Sequence, residues 1–103
     1  MKKNIAGRDI EVNEEGYLLN PVDWDQAIAS ELAKEEGIES LSDNHWKLIQ
    51  YLRDQQSKGT ALTIRGIGKS GVVSVKEFYD LFPGGPLKKA SKIAGIPKPV
   101  GCI

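Results

Sequence analysis

The chain has 103 residues, of which 40% are apolar and 27% are charged, values typical of a single globular domain with a modest core. No apolar run approaches the roughly 20 residues of a membrane span, and the first residues lack an apolar signal segment. One cysteine and one histidine exclude an internal disulfide and disfavour a zinc or catalytic metal site, so we expect neither metal nor cofactor. A free thiol of this kind is typical of the reducing cytoplasm.

The zero net charge hides an asymmetry between the two halves of the chain. Residues 1–57 hold six Lys or Arg against twelve Asp or Glu, whereas residues 58–103 hold eight against two. Solvated helix faces would explain this pattern. The alternative interpretation is a basic surface around the C-terminal segment, which would meet an anionic partner such as an acidic protein face or RNA.

The N-terminal residues predict a small β-hairpin or meander. Residues 5–12 are typical of strand structure around a turn at Gly7. Residues 13–16 then predict a second turn before the apolar residues 17–19. A small sheet is therefore expected at the start of the fold.

Two helices are predicted next from their capping residues. Asp23, with Gln26 three residues later, has the pattern of a capping box, and Gly37 is expected to end the helix that Asp23 begins. Ser42 is expected to begin the second helix, which runs to residues 57–59. Six apolar residues recur at helical spacing and are expected to face the core: Trp24, Ile28, Leu32, Trp46, Ile49 and Leu52.

Shorter helices are predicted in the second half. Residues 63–70 can form a short helix, although each glycine inside it costs about 1 kcal/mol relative to alanine. Ser74 and Glu77 make another capping-box pattern. Pro86 is placed to open the last helix, and Gly95 is placed to end it. Four apolar residues are expected on the buried side of the helix after Ser74: Val75, Phe78, Leu81 and Phe82.

The cysteine, Cys102, stands one residue from the end of the chain. The segment after Gly95 is too short and too rich in proline and glycine to fold back as a helix or strand. Extended, it spans roughly 20–25 Å at about 3.3 Å per residue. We therefore expect an α+β fold with one compact, mostly helical domain over residues 1–95 and an N-terminal β-hairpin. Residues 96–103 are expected to form a mobile arm that delivers the thiol to a partner.

This end of the chain also resembles a known family. Residues 81–86 (LFPGGP) and 92–103 (KIAGIPKPVGCI), with their penultimate cysteine, look like the DsrC/TusE family of sulfur-relay proteins. The resemblance implies a small α+β domain that carries sulfur as a persulfide on the penultimate cysteine, here Cys102. Looser matches extend over nearly the whole chain: residues 16–18, Trp24, and residues 36–38, 45–46 and 52–54.

One departure from the family decides between its branches. The sulfite-reduction branch carries a second cysteine in the helix before the tail, where this chain has Ser91. Two-thiol chemistry is therefore unavailable, and no second thiol of the chain can discharge a persulfide as a disulfide. The chain resembles the TusE-like branch, which works with the penultimate cysteine alone and passes sulfur toward 2-thiouridine of tRNA. A single-cysteine carrier or regulator in a related sulfur pathway remains the alternative within the family.

The resemblance also implies the partners. The expected donor is an upstream sulfurtransferase complex of the TusBCD or DsrEFH kind, and the expected acceptor is a downstream protein such as a tRNA-thiolating enzyme. For the other branch of the family the partner would be dissimilatory sulfite reductase. Because the sequence shows no general base, we expect a transfer protein with a covalent intermediate rather than a self-sufficient enzyme.

Basic residues complete the predicted site. Arg65 and Lys69 keep the family's R-x-x-x-K spacing, which would place both on one helix face as a dock for the tail carboxylate or an anionic partner. Solvated side chains are the alternative, and Gly66 and Gly68 stand here where the family usually has apolar helix formers. Gly101 leaves room for close approach to the thiol. Four lysines are expected to steer docking or to favour the thiolate: Lys88, Lys89, Lys92 and Lys98.

Two rival functions belong to other classes of protein. The first is a docking or regulatory subunit of a sulfite-reductase-type enzyme that carries no sulfur. The second is a helix-turn-helix nucleic-acid-binding module, which short consecutive helices and a basic half would permit; the main interpretation needs no direct contact with nucleic acid or membrane. Residues 66–71 lack the spacing of a phosphate-binding Walker loop. His45 has no nucleophile near it in the sequence, so a catalytic role is not expected.

Overall fold

An N-terminal hairpin followed by a run of helices makes up the fold. The structure, a computed structural model, describes residues 1–60 and 62–98. Within these residues the elements are β1 (Lys2–Ile5), β2 (Arg8–Glu11), a 3-10 helix (Pro21–Asp23), α1 (Gln26–Glu35), α2 (Asp43–Ser57), α3 (Ile64–Lys69), α4 (Val75–Leu81) and α5 (Pro86–Ile93). The predicted α+β class, with a hairpin before a mostly helical domain, is confirmed.

β1 and β2 form an antiparallel pair. Ala6 and Gly7 connect them, both at positive φ (53° and 79°), as a two-residue type I′ turn requires. A bridge between Val12 and Leu18 extends the layer. The predicted hairpin and its turn are confirmed, but the first strand begins at Lys2 rather than at residue 5. The residues that open β1 are polar and mostly exposed, so they lack the apolar alternation that marks a strand in sequence.

The first long helix begins two residues later than predicted. Asp25, not Asp23, is its N-cap, and the Asp25 carboxylate accepts a hydrogen bond from the Ile28 backbone N–H at 3.0 Å. Asp23 instead ends the 3-10 helix that Pro21 opens. Trp24 then takes extended backbone angles (φ −81°, ψ 139°), so α1 cannot start before it. The predicted capping box at Asp23 is therefore wrong.

The starts of α2 and α4 are confirmed. The Ser42 and Ser74 side chains each accept a hydrogen bond from a backbone N–H three residues later. His45 and Glu77 make the reciprocal contacts, which completes both capping boxes. The predicted end of α5 is also confirmed, because Gly95 follows it at φ 70°.

α3 forms despite its two glycines. The Thr63 hydroxyl accepts a hydrogen bond from the Gly66 N–H at 2.9 Å, which caps the helix. Gly68 permits the close approach of α4, because a Cβ there would lie within 2.5 Å of Val75 Cγ2. Val75 is 41% exposed, so its predicted place on the buried side of α4 is wrong. It covers α3 at the edge of the fold, whereas Phe78 enters the core.

α5 lies at the centre of the packing, against α1, α2 and α4. The core extends to Ile96, which is buried, so the packed part of the chain reaches one residue into the segment predicted as the arm. Trp24 and Trp46 are partly buried and pack against this core. Large buried side chains from the hairpin layer, from all five α-helices and from the residue after α4 fill it: Ile5, Val12, Ile28, Leu32, Leu48, Ile49, Leu52, Ile67, Phe78, Phe82, Leu87 and Ile93.

Candidate functional site

The candidate site is the region where the chain leaves α5 toward the cysteine. Gly95 takes a left-handed conformation, and the Ile96 N–H donates to the Ser91 carbonyl at 3.1 Å. This is the Schellman arrangement that ends many helices. Because Ile96 is also buried, the chain is anchored at the start of the segment that carries the cysteine.

The two residues at the centre of the predicted site are Gly101 and Cys102, and both lie outside the described residues. Their roles stay predictions. Pro97 and Lys98 are described and exposed. The described chain therefore turns from core to surface between Ile96 and Pro97, and Ile96 is the last buried residue among those that the structure describes.

Two side chains from other elements hold the end of α5. The Trp24 indole Nε1 donates to the Ile93 carbonyl at 2.8 Å, and Arg53 Nη1 donates to the Ala94 carbonyl at 2.7 Å. The Arg53 guanidinium also lies 4.1 Å from the centroid of the Trp24 ring, a cation–π contact. Carbonyls at a helix end have no partner within the helix. These two donors satisfy them and fix the path of the chain beyond α5.

Gly95 is required by this contact as well as by its backbone angle. A Cβ built at Gly95 would overlap the Trp24 ring. The indole therefore packs directly on the backbone at the helix end. Only glycine combines this close approach with a left-handed φ at no steric cost.

Trp24 and Arg53 were not predicted as site residues, although both belong to the segments that resemble the family. Their partners on α5 are 69 and 41 residues away in sequence, so no local spacing reveals the contacts. Burial lowers the pKa of the Arg53 guanidinium below its ordinary value. The group still carries its charge at neutral pH, because arginine does not lose its proton in proteins.

Three of the four predicted lysines come together on one side of α5. Lys88, Lys89 and Lys92 line a cavity of about 250 Å³. Two carboxylates from the N-terminal half share it, those of Glu15 and Glu36. Lysines from the basic half of the sequence and carboxylates from the acidic half therefore lie side by side at this surface.

Two of the four lysines are engaged in ion pairs. Lys92 Nζ lies 3.4 Å from a Glu36 carboxylate oxygen, with both side chains mostly shielded. Lys98 Nζ lies 3.0 Å from a Glu15 carboxylate oxygen in an exposed pair, which is worth little in free energy. Lys88 and Lys89 make no ion pair with any described residue. The lysine surface is therefore partly neutralised.

Arg65 and Lys69 lie one turn apart on α3 and are exposed. Neither pairs with a carboxylate in the part of the chain that the structure describes, and neither lines the lysine cavity. The predicted shared face is compatible with the helix. Their role as a dock for the tail carboxylate or an anionic partner stays a prediction, because the end of the chain lies outside the described residues.

Ser91 is fully buried on α5. Its hydroxyl oxygen has no hydrogen-bond partner within residues 1–60 and 62–98. This is the position at which the resemblance places a second cysteine in the other branch of the family. A buried hydroxyl without a partner is costly, so the serine is not explained by a local stabilising contact.

His45 has a structural place in the fold. Its Nδ1 accepts hydrogen bonds from the Ser42 N–H and hydroxyl at 3.0 and 2.8 Å, which leaves Nε2 to donate to the Leu81 carbonyl at 2.9 Å. Its ring also meets Phe82 edge-on, with centroids 5.1 Å apart. These contacts tie the start of α2 to the end of α4 and leave both ring nitrogens occupied.

Comparison with known proteins identifies the family. The family described as DsrC-like protein matches residues 4–103. The chain belongs to this family. Among curated relatives, a protein of Nitratidesulfovibrio vulgaris named sulfite reductase, dissimilatory-type subunit gamma, is 42% identical over 94% of this chain and 93% of its own length. The protein named sulfurtransferase TusE from Photorhabdus laumondii is 43% identical over 96% of both chains.

The fold of the DsrC-like family is matched as well. A chain from a crystal structure of dissimilatory sulfite reductase I superimposes with a TM-score of 0.86 and 38% identity, with all of both chains covered. Together the relatives support a sulfur-relay carrier, as the resemblance implied. Among the described residues no helix is long and apolar enough to cross a membrane.

Proposed function

We propose that this DsrC-like protein accepts a persulfide sulfur on Cys102 in the cytoplasm and hands it to the next protein of a relay. The observation that supports this most is the placement of the cysteine. Its motif matches the family to the end of the chain, and Ile96, the last buried residue among those described, precedes it by six positions. Six residues reach about 20 Å when extended, far enough to enter a cleft in another protein.

The transfer step needs only thiol chemistry. The Cys102 thiolate attacks the outer sulfur of a donor persulfide, the donor's sulfur–sulfur bond breaks, and the donor leaves as a thiolate. The electrons balance within this exchange, so no oxidant or reductant takes part. A second, identical step passes the outer sulfur to the acceptor. Because the chain has one cysteine, it cannot release the sulfur by closing an internal disulfide.

We propose that residues 1–95 act as the docking body and residues 96–103 as the arm. Lys88 and Lys89 carry charges that no described carboxylate neutralises, which supports their role in steering an acidic face of the partner. Lys98 is held by an exposed ion pair, and a docked partner can release it toward the thiolate. Gly101 would allow close approach to the thiol.

The proposed route runs from a sulfurtransferase complex of the TusBCD or DsrEFH kind toward 2-thiouridine of tRNA. The single cysteine supports this route, because the two-thiol branch has a cysteine where Ser91 lies. Arg65 and Lys69, exposed together on α3, are proposed as a second contact for an anionic partner.

Intact-protein mass spectrometry tests the carrier role. The purified chain is incubated with a cysteine desulfurase and its substrate, or with a donor already loaded with persulfide. We expect a gain of one sulfur atom that thiol reductant removes. Cys102→Ser should show no gain, whereas Ser91→Ala, which alters a buried residue on α5, should load like the unchanged chain. Failure to load from any competent donor would refute the proposal.

A second candidate is a docking or regulatory subunit of a sulfite-reductase-type enzyme. The relative named as a gamma subunit of sulfite reductase favours it. Binding to such an enzyme would then survive Cys102→Ser, and the enzyme's turnover would respond to both forms alike. A carrier would instead keep its partner and lose the activity on Cys102→Ser.

A further inference from the structure

The Arg53 guanidinium has more hydrogen-bonding capacity than its neighbours use. A guanidinium has five N–H donors. The described contacts of Arg53 are one hydrogen bond to the Ala94 carbonyl and one cation–π contact with the Trp24 ring. The described ranges 1–60 and 62–98 place no carboxylate within ion-pair distance of it. A half-buried cation without a counter-charge is a costly arrangement that an anion would relieve.

Arg53 lines a cavity of about 280 Å³. The other residues that line it are Pro21, Gln56, Ser57 and Ile96. Gln56 provides amide N–H donors and Ser57 a hydroxyl, and none of the lining residues is acidic. The cavity near Lys88 differs, because it contains two carboxylates. An anion from solution therefore meets less competition beside Arg53.

We infer that this space, the Arg53 cavity, binds an oxyanion. The planar guanidinium fork matches the oxygen spacing of a carboxylate or a tetrahedral oxyanion, and the Gln56 and Ser57 side chains add donors at its rim. The oxyanion is either free in solution or the side chain of another protein, since both present the same group. The inference goes beyond the sulfur-carrier role, because the site contains no thiol.

The position of the Arg53 cavity gives such a ligand a contact with the root of the cysteine-bearing segment. Ile96 lines the cavity, and the same guanidinium holds the Ala94 carbonyl. An oxyanion bound here lies against the residues that set the path of the chain beyond α5. Binding would tighten Arg53 in the position that already holds this end.

NMR titration tests the site directly. Uniformly ¹⁵N-labelled Cys102→Ser protein, which cannot form a disulfide dimer, is titrated with sodium acetate or sodium sulfate against sodium chloride of equal ionic strength. We expect saturable shifts at the Arg53 Nε–H, the Trp24 indole N–H and the Ser57 amide. Because this protein has no thiol, the result is independent of sulfur transfer.

Variants then separate anion binding from the structural role of Arg53. Gln56→Glu keeps Arg53 on the Ala94 carbonyl but adds a carboxylate to the lining, and we expect it to abolish saturable binding. Arg53→Lys should raise the anion concentration at half-saturation about tenfold, because lysine lacks the planar guanidinium fork. Lys76→Met removes the positive charge of an exposed side chain on α4 and should leave anion binding unchanged.

Titration with a third ligand, a capped Gly-Asp-Gly peptide, distinguishes a carboxylate of a partner protein from a free anion. Tighter binding of the peptide than of sulfate would indicate a partner's carboxylate, and the reverse would indicate a free tetrahedral anion. Shifts that do not saturate, that chloride reproduces, or that persist in Gln56→Glu would overturn the inference.

Discussion

Replacing Ser91 by alanine is expected to stabilise the protein. The side chain is fully buried, and its hydroxyl has no partner among the described residues. Leaving such a group unsatisfied costs about 1–3 kcal/mol, and alanine is the better helix former by about 0.5 kcal/mol. The lost contacts of one oxygen atom offset about 0.5–1 kcal/mol of this gain. The free energy of unfolding should therefore rise by about 0.5–3 kcal/mol.

The assay is urea unfolding followed by circular dichroism, with thermal unfolding as a second measure. For a domain of this size, about 1 kcal/mol raises Tm by about 4–8 °C. Ser30→Ala is the matched control, because Ser30 lies on α1 and is only half-buried. It should gain the helix-propensity share alone. A fall in the free energy of unfolding on Ser91→Ala would show that the hydroxyl has a hydrogen-bond partner in solution and contradict this prediction.

Three further predictions concern single contacts. Gly95→Ala should lower the free energy of unfolding by more than about 1 kcal/mol, because it combines a left-handed φ with overlap on Trp24; an unchanged urea midpoint would contradict this packing. Gly68→Ala should also destabilise, because its Cβ would meet a Val75 methyl, and the double change with Val75→Ala should restore part of the loss; full additivity of the two changes would contradict the contact. The pKa of Asp25 is lowered, first by the hydrogen bond from the α1 backbone and then by Arg8. The contribution of Asp25 to stability is therefore present above the ordinary carboxyl pKa near 3.8, and it is lost as pH falls through the lower pKa of the folded state. Asp25→Asn should flatten the acid limb of the stability–pH curve, and an unchanged acid limb would contradict a charged N-cap at Asp25.

Much of the fold could be predicted because its local signals are strong. Ser42 and Ser74 each cap the start of a helix, and the side chain three residues later makes the reciprocal hydrogen bond. Both capping boxes are present in the structure. Gly95 could be recognised as a helix end because only glycine takes its backbone conformation at no steric cost. In these cases the information needed lies within four residues of sequence.

Other features could not be read from local patterns. Asp23 and Asp25 are equally good caps by type, and the choice depends on the 3-10 turn that Pro21 opens. Val75 has the spacing of a buried residue, but α4 begins at the edge of the fold, so its side chain stays half in solvent. Periodicity gives the face of a helix and not how far the core extends along it.

The site shows the same division. The sequence brings Lys88, Lys89 and Lys92 together by helical spacing, and the structure places them around one cavity. Arg53 could not be found in this way, because its contact with Ala94 depends on how α2 packs against α5. Residue types alone do not reveal that a half-buried arginine holds a helix end.

Cyanolysis of the loaded protein measures whether Cys102 carries a transferable sulfur. Cyanide removes the outer sulfur of a persulfide as thiocyanate and leaves the thiolate, so it counts sulfur that can be transferred. After loading and removal of the donor, we expect one thiocyanate per loaded chain, from its one cysteine, and none from Cys102→Ser. Equal thiocyanate from both proteins, or none from either, would contradict a transferable sulfur on Cys102.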